Sequence, residues 1–367
     1  MTALSKLHLS GWKSIKDATI ELGPLSVLIG ANGSGKSNLL SFFHFLSSLV
    51  EGRMDVFVAK EGGANAILHF GVKTTGRLSA NLTMGTEHES ITFETYLEHG
   101  QPDTLVVNPY PPDLATPVNG ETITNFSLAG KIIGWIRERP GLGGEAMLNA
   151  FLKQIRLAHF HDTSPAALGR LTGYIHNNQF LQADAGNLAV MLYLYKQTAP
   201  TVYRRIVSTV RKIVPNFDDF TLAAEDLNPN SILLRWRQLG HDYLFGPHQL
   251  SDGSLRAIAL TALLLQPEKD LPSLLFLDEP EIGLHPYALE LIAGLIRAAS
   301  VRTQVIVATQ SAAFVDLFEP EEIIVTEAPQ GETLFRRLAA EPLRDWLEDY
   351  SVGQLWERNV IGGGPMP

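Results

Sequence analysis

Hydrophobic and polar positions alternate over residues 4–22. Leu7 and Leu9, then Ala18, Ile20 and Leu22, fall on shared faces, a period-2 pattern that predicts two short strands. Leu25–Ile29 is a short, mainly apolar run of buried-strand type. Beyond Ser37 the spacing changes: Leu39, Phe42, Phe43, Leu46, Leu49 and Val50 recur every three or four residues, as on one side of an amphipathic helix. Leu78, Ala80, Leu82 and Met84 alternate again, as do Ile91 and Phe93 beyond a polar turn, so a hairpin is expected.

From Gln101 to Gly130 the chain is rich in Pro, Asn, Thr and Gly, the composition of a loop leading into an insert. Within that insert Lys131–Arg139 and Glu145–Lys153 are expected as helices, Ile155–His161 as a strand, and Gly186–Gln197 and Thr201–Val214 as helices. The last would bury Val202, Ile206, Val210 and Ile213. No heptad pattern persists, so the insert reads as a compact lobe rather than a long coiled coil. Strand and helix then alternate. Ser231–Arg237 is expected as a strand, and Ser251 can cap a helix with Leu255, Ile258, Ala259, Ala262 and Leu263 on its apolar side. Leu274–Leu277, Val305–Ala308, Ile323–Val325 and Leu334–Leu338 complete the strands. The expected organisation is thus 1–100, an inserted lobe 101–217, and 218–367.

Composition narrows the function classes. The 367 residues are 45% apolar, enough for a sizeable core, and contain no run of apolar residues long enough to span a bilayer. No charged-then-apolar leader precedes the first strand, so a cytoplasmic location without a membrane partner is expected. Cysteine is absent, which excludes disulfides and thiolate metal sites. The formal charge of −10 argues against a protein that coats nucleic acid over its whole surface.

Between the apolar run and the first helix stands Gly30-Ala31-Asn32-Gly33-Ser34-Gly35-Lys36-Ser37, the complete spacing G-x-x-x-x-G-K-S. Glycines let backbone N–H groups curl around phosphates, and a helix beginning near Lys36 adds its positive end. Lys36 would place a charge on the phosphates and the Ser37 hydroxyl would hold Mg²⁺. A nucleoside triphosphate is therefore expected against Gly30, Asn32–Ser37 and Asn38. Leu274–Leu277 ends at Asp278-Glu279-Pro280, where Asp278 would bind Mg²⁺ through water and Glu279 would act as general base. Alone, such a strand end is often no more than solvated acid; the glycine loop upstream gives it meaning. Leu250–Ser254 reads LSDGS, by itself an ordinary turn and helix cap. Placed ahead of the acidic strand, it suggests that Ser251 and the Gly253 amide donate to a γ-phosphate. Gln310, in Ala308-Thr309-Gln310-Ser311, would position water or sense the γ-phosphate, since an amide cannot serve as a base.

These segments carry a resemblance. GANGSGKSN, LSDGSLR, FLDEPEIGLHP and ATQS resemble the SMC/RecF/OLD class of ABC ATPase heads, in particular AAA-domain proteins of RecF-like type. GWKSIKDATIEL resembles the strand-turn that in this class brings Lys13 and Ser14 near the adenine. The likeness covers about 1–75 and 240–360. It implies an α/β fold, a P-loop NTPase of ABC-ATPase type with a mixed central sheet, flanking helices and an N-terminal antiparallel portion, interrupted by the mainly helical lobe. It implies an ATPase using ATP and Mg²⁺, and a homodimer in which Ser251 and Gly253 of one copy complete the nucleotide site of the other. Gly283–His285 would touch the second copy. Two positions depart from the class: Gln310 stands where a switch histidine is usual, and Gly52–Thr75 contains no glutamine for a Q-loop.

The resemblance implies a conformational switch in DNA maintenance or repair, or alternatively a sensor controlling a partner nuclease or toxin in antiviral defence. A transporter ATPase is disfavoured by EPEIGLHP where transporters read EPTxGLD, and a GTPase by the lack of NKxD. Ala185–Phe217 contains no acid but carries Lys196, Arg204, Arg205, Arg211 and Lys212. Its helix face would track DNA or RNA phosphates, or lie plainly in solvent. His159, His161 and Asp162 form an H-x-H-D pattern open to a metal or to satisfied surface histidines. Trp346, Tyr350 and Trp356, in an acidic tail, would dock a partner or cover the core.

Overall fold

Alternation over the first hundred residues becomes an antiparallel sheet. The computed structural model describes residues 3–85, 90–108, 122–128, 131–138, 143–225 and 228–364. β1 (Leu4–Trp12) and β2 (Ile15–Glu21) pair with Leu7 opposite Ile20 and Leu9 opposite Ala18, so these four buried residues share one face. β4 (Arg77–Gly85) joins β1 on its other side and pairs in turn with β5 (Ser90–Gly100), as the expected hairpin. β6 (Thr104–Val107), β7 (Thr122–Leu128) and β8 (Lys131–Glu138) extend this sheet, with β8 between β5 and β7.

Two sequence expectations fail here. Lys131–Glu138 is a strand rather than a helix; Arg139, the last residue of that expected helix, lies outside the described residues. The buried Ile133, Trp135 and Ile136 belong to types that favour a pleated surface. Gly134, poor in a helix, suits the place: a β-carbon there would lie 2.3 Å from the Phe93 ring across the ladder. The expected loop 101–130 contains β6 and part of β7's ladder, while its residues 109–121 and 129–130 lie outside the described residues.

The chain divides into two compact units, Met1–Ile155 with Phe318–Pro367, and Arg156–Leu317. The division falls at neither 100/101 nor 217/218. In the first unit, β3 (Leu25–Ile29) runs parallel to β18 (Ile323–Glu327), which pairs antiparallel with β19 (Leu334–Arg337). α1 (Lys36–Val50) buries Leu39, Phe42, Phe43, Phe45 and Leu46 completely. Trp12 meets Phe42 edge-on at 5.4 Å and Phe45 at 5.3 Å, and its Nε1 donates to Asn38 O at 2.8 Å. Each such aromatic contributes about 1.5–3 kcal/mol by burial, so the β1–β2 turn and the start of α1 are firmly joined. α2 (Met54–Lys60) and α3 (Ala64–Ile67) follow, then α4 (Gly144–Lys153); α10 (Arg344–Leu347) and α11 (Val352–Glu357) close the unit.

In the second unit, β16 (Leu274–Asp278) and β17 (Gln304–Thr309) are parallel neighbours, and β9 (Ile155–Ala158) lies beside β16. The helices are α5 (Leu188–Thr198), α6 (Pro200–Ile213), α7 (Asp252–Leu264), α8 (Pro286–Ser300) and α9 (Ala312–Val315). Two small sheets complete it: β10 (Gly173–Tyr174), β13 (Asn228–Ile232) and β12 (Ala224–Glu225); and β11 (Phe217–Thr221), β14 (Arg235–Gln238) and β15 (Leu244–Phe245). The single strand expected at Ser231–Arg237 is thus two, separated where Arg235 N donates back to Leu233 O. Among the described residues no helix is long and apolar enough to cross a membrane.

Candidate active site

The glycine loop follows a fully buried strand and ends at a helix N-terminus. Gly35 caps α1 with φ 106° and no side-chain hydrogen bond, so the positive end of the helix carries no built-in anion. A β-carbon at Gly35 would lie 2.0 Å from Thr333 Oγ1, so glycine is required both by conformation and by space. Gly33, at φ 80°, is exposed with nothing near it. Lys36 is 6% exposed, and its Nζ folds back onto Gly30 O at 2.6 Å and Ala31 O at 3.1 Å. Ser34 Oγ is buried without a hydrogen-bond partner, whereas Ser37 and Asn32 face solvent. An orphaned buried hydroxyl, an uncapped helix start and a lysine resting on carbonyls suit an incoming triphosphate.

The N-terminal strand-turn supports this loop. Ser14 Oγ bonds Thr333 Oγ1 at 2.6 Å and accepts from Asn38 Nδ2 at 2.5 Å, and Thr333 Oγ1 donates to Ser34 O at 3.0 Å. Ser14 and Asn38 are therefore brought to the loop, through a threonine that sequence reasoning did not single out. Lys13, at φ 45°, gives its ammonium to Ser41 Oγ at 2.8 Å and Glu61 Oε2 at 2.7 Å. Lys13 and Ser14 line a cavity of about 690 Å³ with Phe70 and Gly331.

In the other unit, the end of β16 presents Asp278 and Glu279. Glu279 has φ 44°, unusual for a residue with a β-carbon, and its amide still bonds Ala308 O at 2.8 Å on β17. Gln310, just past β17, donates from Nε2 to Glu279 Oε1. Behind this pair sits Glu281, which accepts from Thr309 Oγ1 at 2.5 Å. His161 Nε2 bonds Asp278 O at 3.0 Å, and its ring stands 6.4 Å from that of His159. Asp162 accepts from Ser164, which holds its carboxyl below the usual range. Among the described residues no group of three His, Asp or Glu could hold a metal, so the H-x-H-D pattern does not assemble one.

Ser251 is the N-cap of α7: its Oγ accepts from Ser254 N at 3.1 Å and bonds Ser254 Oγ at 2.8 Å. Gly253 packs on the backbone of Gly283, where a β-carbon would lie 2.2 Å from Gly283 O. The two turns are also tied by Arg256, which donates to Ile282 O and, at 2.8 Å, to Phe160 O. Arg170, buried, donates to Pro247 O at 2.6 Å, Leu250 O at 3.0 Å and Asp252 Oδ1 at 2.7 Å. Both arginines stood unmarked in the sequence, because their partners are mostly backbone carbonyls.

The basic face of α6 is present, with changes. Its buried residues are Tyr203, Ile206, Val207 and Val210, while Val202 and Ile213 are only partly covered. Arg204, Arg205, Arg211 and Lys212 are exposed, but Arg211 is tied to Asp218 at 2.9 Å. In the tail, Trp356 is buried in the core, whereas Trp346 is 47% exposed beside Tyr350.

The comparisons follow this geometry. A family model described as "AAA domain, putative AbiEii toxin, Type IV TA system" matches residues 25–107 and 155–316. The skipped stretch contains β7, β8 and α4. An SMC head bound to the C-winged helix domain of ScpA is 16% identical with a TM-score of 0.58, over 93% of this chain and 99% of that one. The Pyrococcus furiosus Smc head with an extended coiled coil, bound to the C-terminal domain of ScpA, is 15% identical with a TM-score of 0.58, over 95% and 99%. The Thermotoga maritima SMC head domain is 17% identical with a TM-score of 0.50, over 92% and 99%. At these identities the likeness is one of fold. No curated protein matches the chain. The chain belongs to the AAA-domain family described as putative AbiEii toxin, type IV TA system, and has the P-loop fold of an SMC-type ATPase head.

Proposed function

We propose that this chain is a Mg²⁺-dependent, ATP-hydrolysing switch that closes head-to-tail with a second copy around ATP. The observation that carries the reading is the Glu279–Gln310 pair, a carboxylate in left-handed backbone held by an amide at the neighbouring strand end. Lys36 exchanges its contacts with Gly30 O and Ala31 O for phosphate oxygens, and the Asn32–Asn38 backbone cradles the same groups. Ser37 and, through water, Asp278 would hold Mg²⁺, which would neutralise charge on the phosphate oxygens. Glu279 accepts a proton from the attacking water, and Gln310, unable to accept one, keeps Glu279 oriented. Ser14 lies beside the adenine; Lys13 joins it by releasing Glu61. Ser251 and Gly253 donate to the nucleotide of the second copy.

For what the switch drives, DNA maintenance or repair is supported by the exposed Arg204, Arg205 and Lys212, with Arg211 partly neutralised by Asp218. A second reading, control of a partner effector, is favoured by the family description, which names a putative toxin of a type IV TA system.

Glu279→Gln tests the mechanism. It should lower kcat by roughly 10²–10⁴-fold and accumulate an ATP-bound dimer on size exclusion. Turnover at the unmutated rate excludes Glu279 as the base, and a variant that binds ATP but elutes as a monomer removes the shared-nucleotide arrangement.

A further inference from the structure

Glu281 follows the acidic strand end, yet its side chain turns inward and is 8% exposed. One carboxyl oxygen, Oε1, accepts from Thr309 Oγ1 at 2.5 Å and from the backbone N–H of Gln310 at 3.3 Å. The other, Oε2, is buried with no hydrogen-bond partner. Thr309 is itself fully buried, and its hydroxyl also accepts from Ser311 N at 3.1 Å. Thr309 and Gln310 thus converge on one carboxyl group, and Ser311 is tied to it through the Thr309 hydroxyl. Gln310 reaches Glu279 from that strand end, and Glu279 N returns to Ala308 O at 2.8 Å, closing a ring of contacts.

Burying a carboxyl with one unpartnered oxygen costs free energy that an apolar residue of similar size would not incur. The packing of β17, whose residues are all buried, gives no other reason for an acid at this place. We propose that Glu281 is a positioning residue for hydrolysis, fixing the strand end from which Gln310 holds Glu279. The proposal rests on the assignment of Glu279 as base. Glu281 touches no substrate; it acts through Thr309 and Gln310. Burial, with Glu279 alongside, favours the neutral carboxyl, although Arg256 also faces it. Glutamine retains the shape and the acceptor of that neutral form; leucine retains neither the acceptor nor the grip.

The test compares Glu281→Leu, Glu281→Gln and Thr309→Val in the full chain, each checked for native melting. Leucine and valine should lower kcat about 10- to 100-fold at unchanged KM for ATP, with glutamine restoring kcat to within about 3-fold. Deuterium uptake at the Gln310 and Ser311 amides should rise with leucine and return to normal with glutamine. The proposal is overturned if leucine leaves kcat and uptake unchanged, or if glutamine is as impaired as leucine. Glu279→Gln is run alongside. Its turnover at the unmutated rate refutes the base assignment, while amide uptake still decides whether Glu281 holds the strand end.

Discussion

In the unit carrying Gly30–Ser37, backbone conformation holds the functional groups in place. Gly35 at φ 106° sits against Thr333 with no room for a methyl group, and Lys36 rests on the carbonyls of its own loop. In the unit carrying Asp278–Gln310, side chains do this instead. Glu279 is held by Gln310, Gln310 and Thr309 by Glu281, and the turns around Gly253 and Gly283 by Arg256. A backbone cradle recognises an anion of fixed shape through many weak donors; a side-chain cluster can hold and move a proton. The first should fail through conformation and the second through chemistry, and variants can separate the two.

The largest effect is expected at Lys36. Lys36→Ala removes the one charged group of the glycine loop and leaves Gly30 O and Ala31 O without their donor. Affinity for a fluorescent ATP analogue should fall by roughly 100-fold or more, as for loss of a charge-assisted phosphate contact. Affinity within a few-fold of the unmutated chain would mean that the backbone alone recognises the phosphates, making the contrast between the units sharper still.

Next comes Gly35→Ala. A β-carbon in left-handed backbone costs about 1–2 kcal/mol, and crowding against a well-packed neighbour about 1–3 kcal/mol. Thr333 cannot retreat easily, because it also bonds Ser14 and Ser34. Denaturant midpoints should drop accordingly, and Thr333→Ala in the same chain should recover only part of the crowding, because the β-carbon of residue 333 would itself lie 2.8 Å away. If the double variant recovers nothing, Thr333 is not what excludes a side chain at residue 35.

The same contrast explains what could be read from the sequence. Gly30–Ser37 is contiguous, and its flanking patterns change period at the loop, so strand, loop and helix were all legible. The strand ends that carry Asp278, Glu279 and Gln310 were legible because buried parallel strands are uniformly apolar and stop at their first polar residues. Glu281 and Arg256 were not, because burial and partners are tertiary facts, and an acid after a proline reads as surface. Lys131–Glu138 was misread as a helix because Ile132, Ile133 and Ile136 fit both periods over so short a run. The ladders with β5 and β7, with Phe93 packed close on Gly134, decide for the strand. Ser231–Arg237 was joined across a break because nothing in its side chains marks the two partner sheets.

The smallest effect concerns protons, and it belongs to the side-chain unit alone. Burial raises the Glu281 carboxyl above the ordinary glutamate range, and the neighbouring Glu279 acts in the same direction, against the hydrogen bonds from Thr309 and Gln310. The folded chain therefore keeps a proton there that the unfolded chain releases at lower pH. That contribution to stability is fully present below the unfolded glutamate pKa of about 4.3 and is lost as pH rises through the folded value. Glu281→Gln cannot ionise, so its melting temperature should fall less between pH 5 and 8 than that of the unmutated chain. Gly35→Ala, which changes no titrating group, should shift the whole curve down without changing its slope. Equal slopes for the unmutated chain and Glu281→Gln would mean that the buried carboxyl is ionised throughout. The ring of contacts around Gln310 would then be held by a carboxylate rather than by a neutral acid.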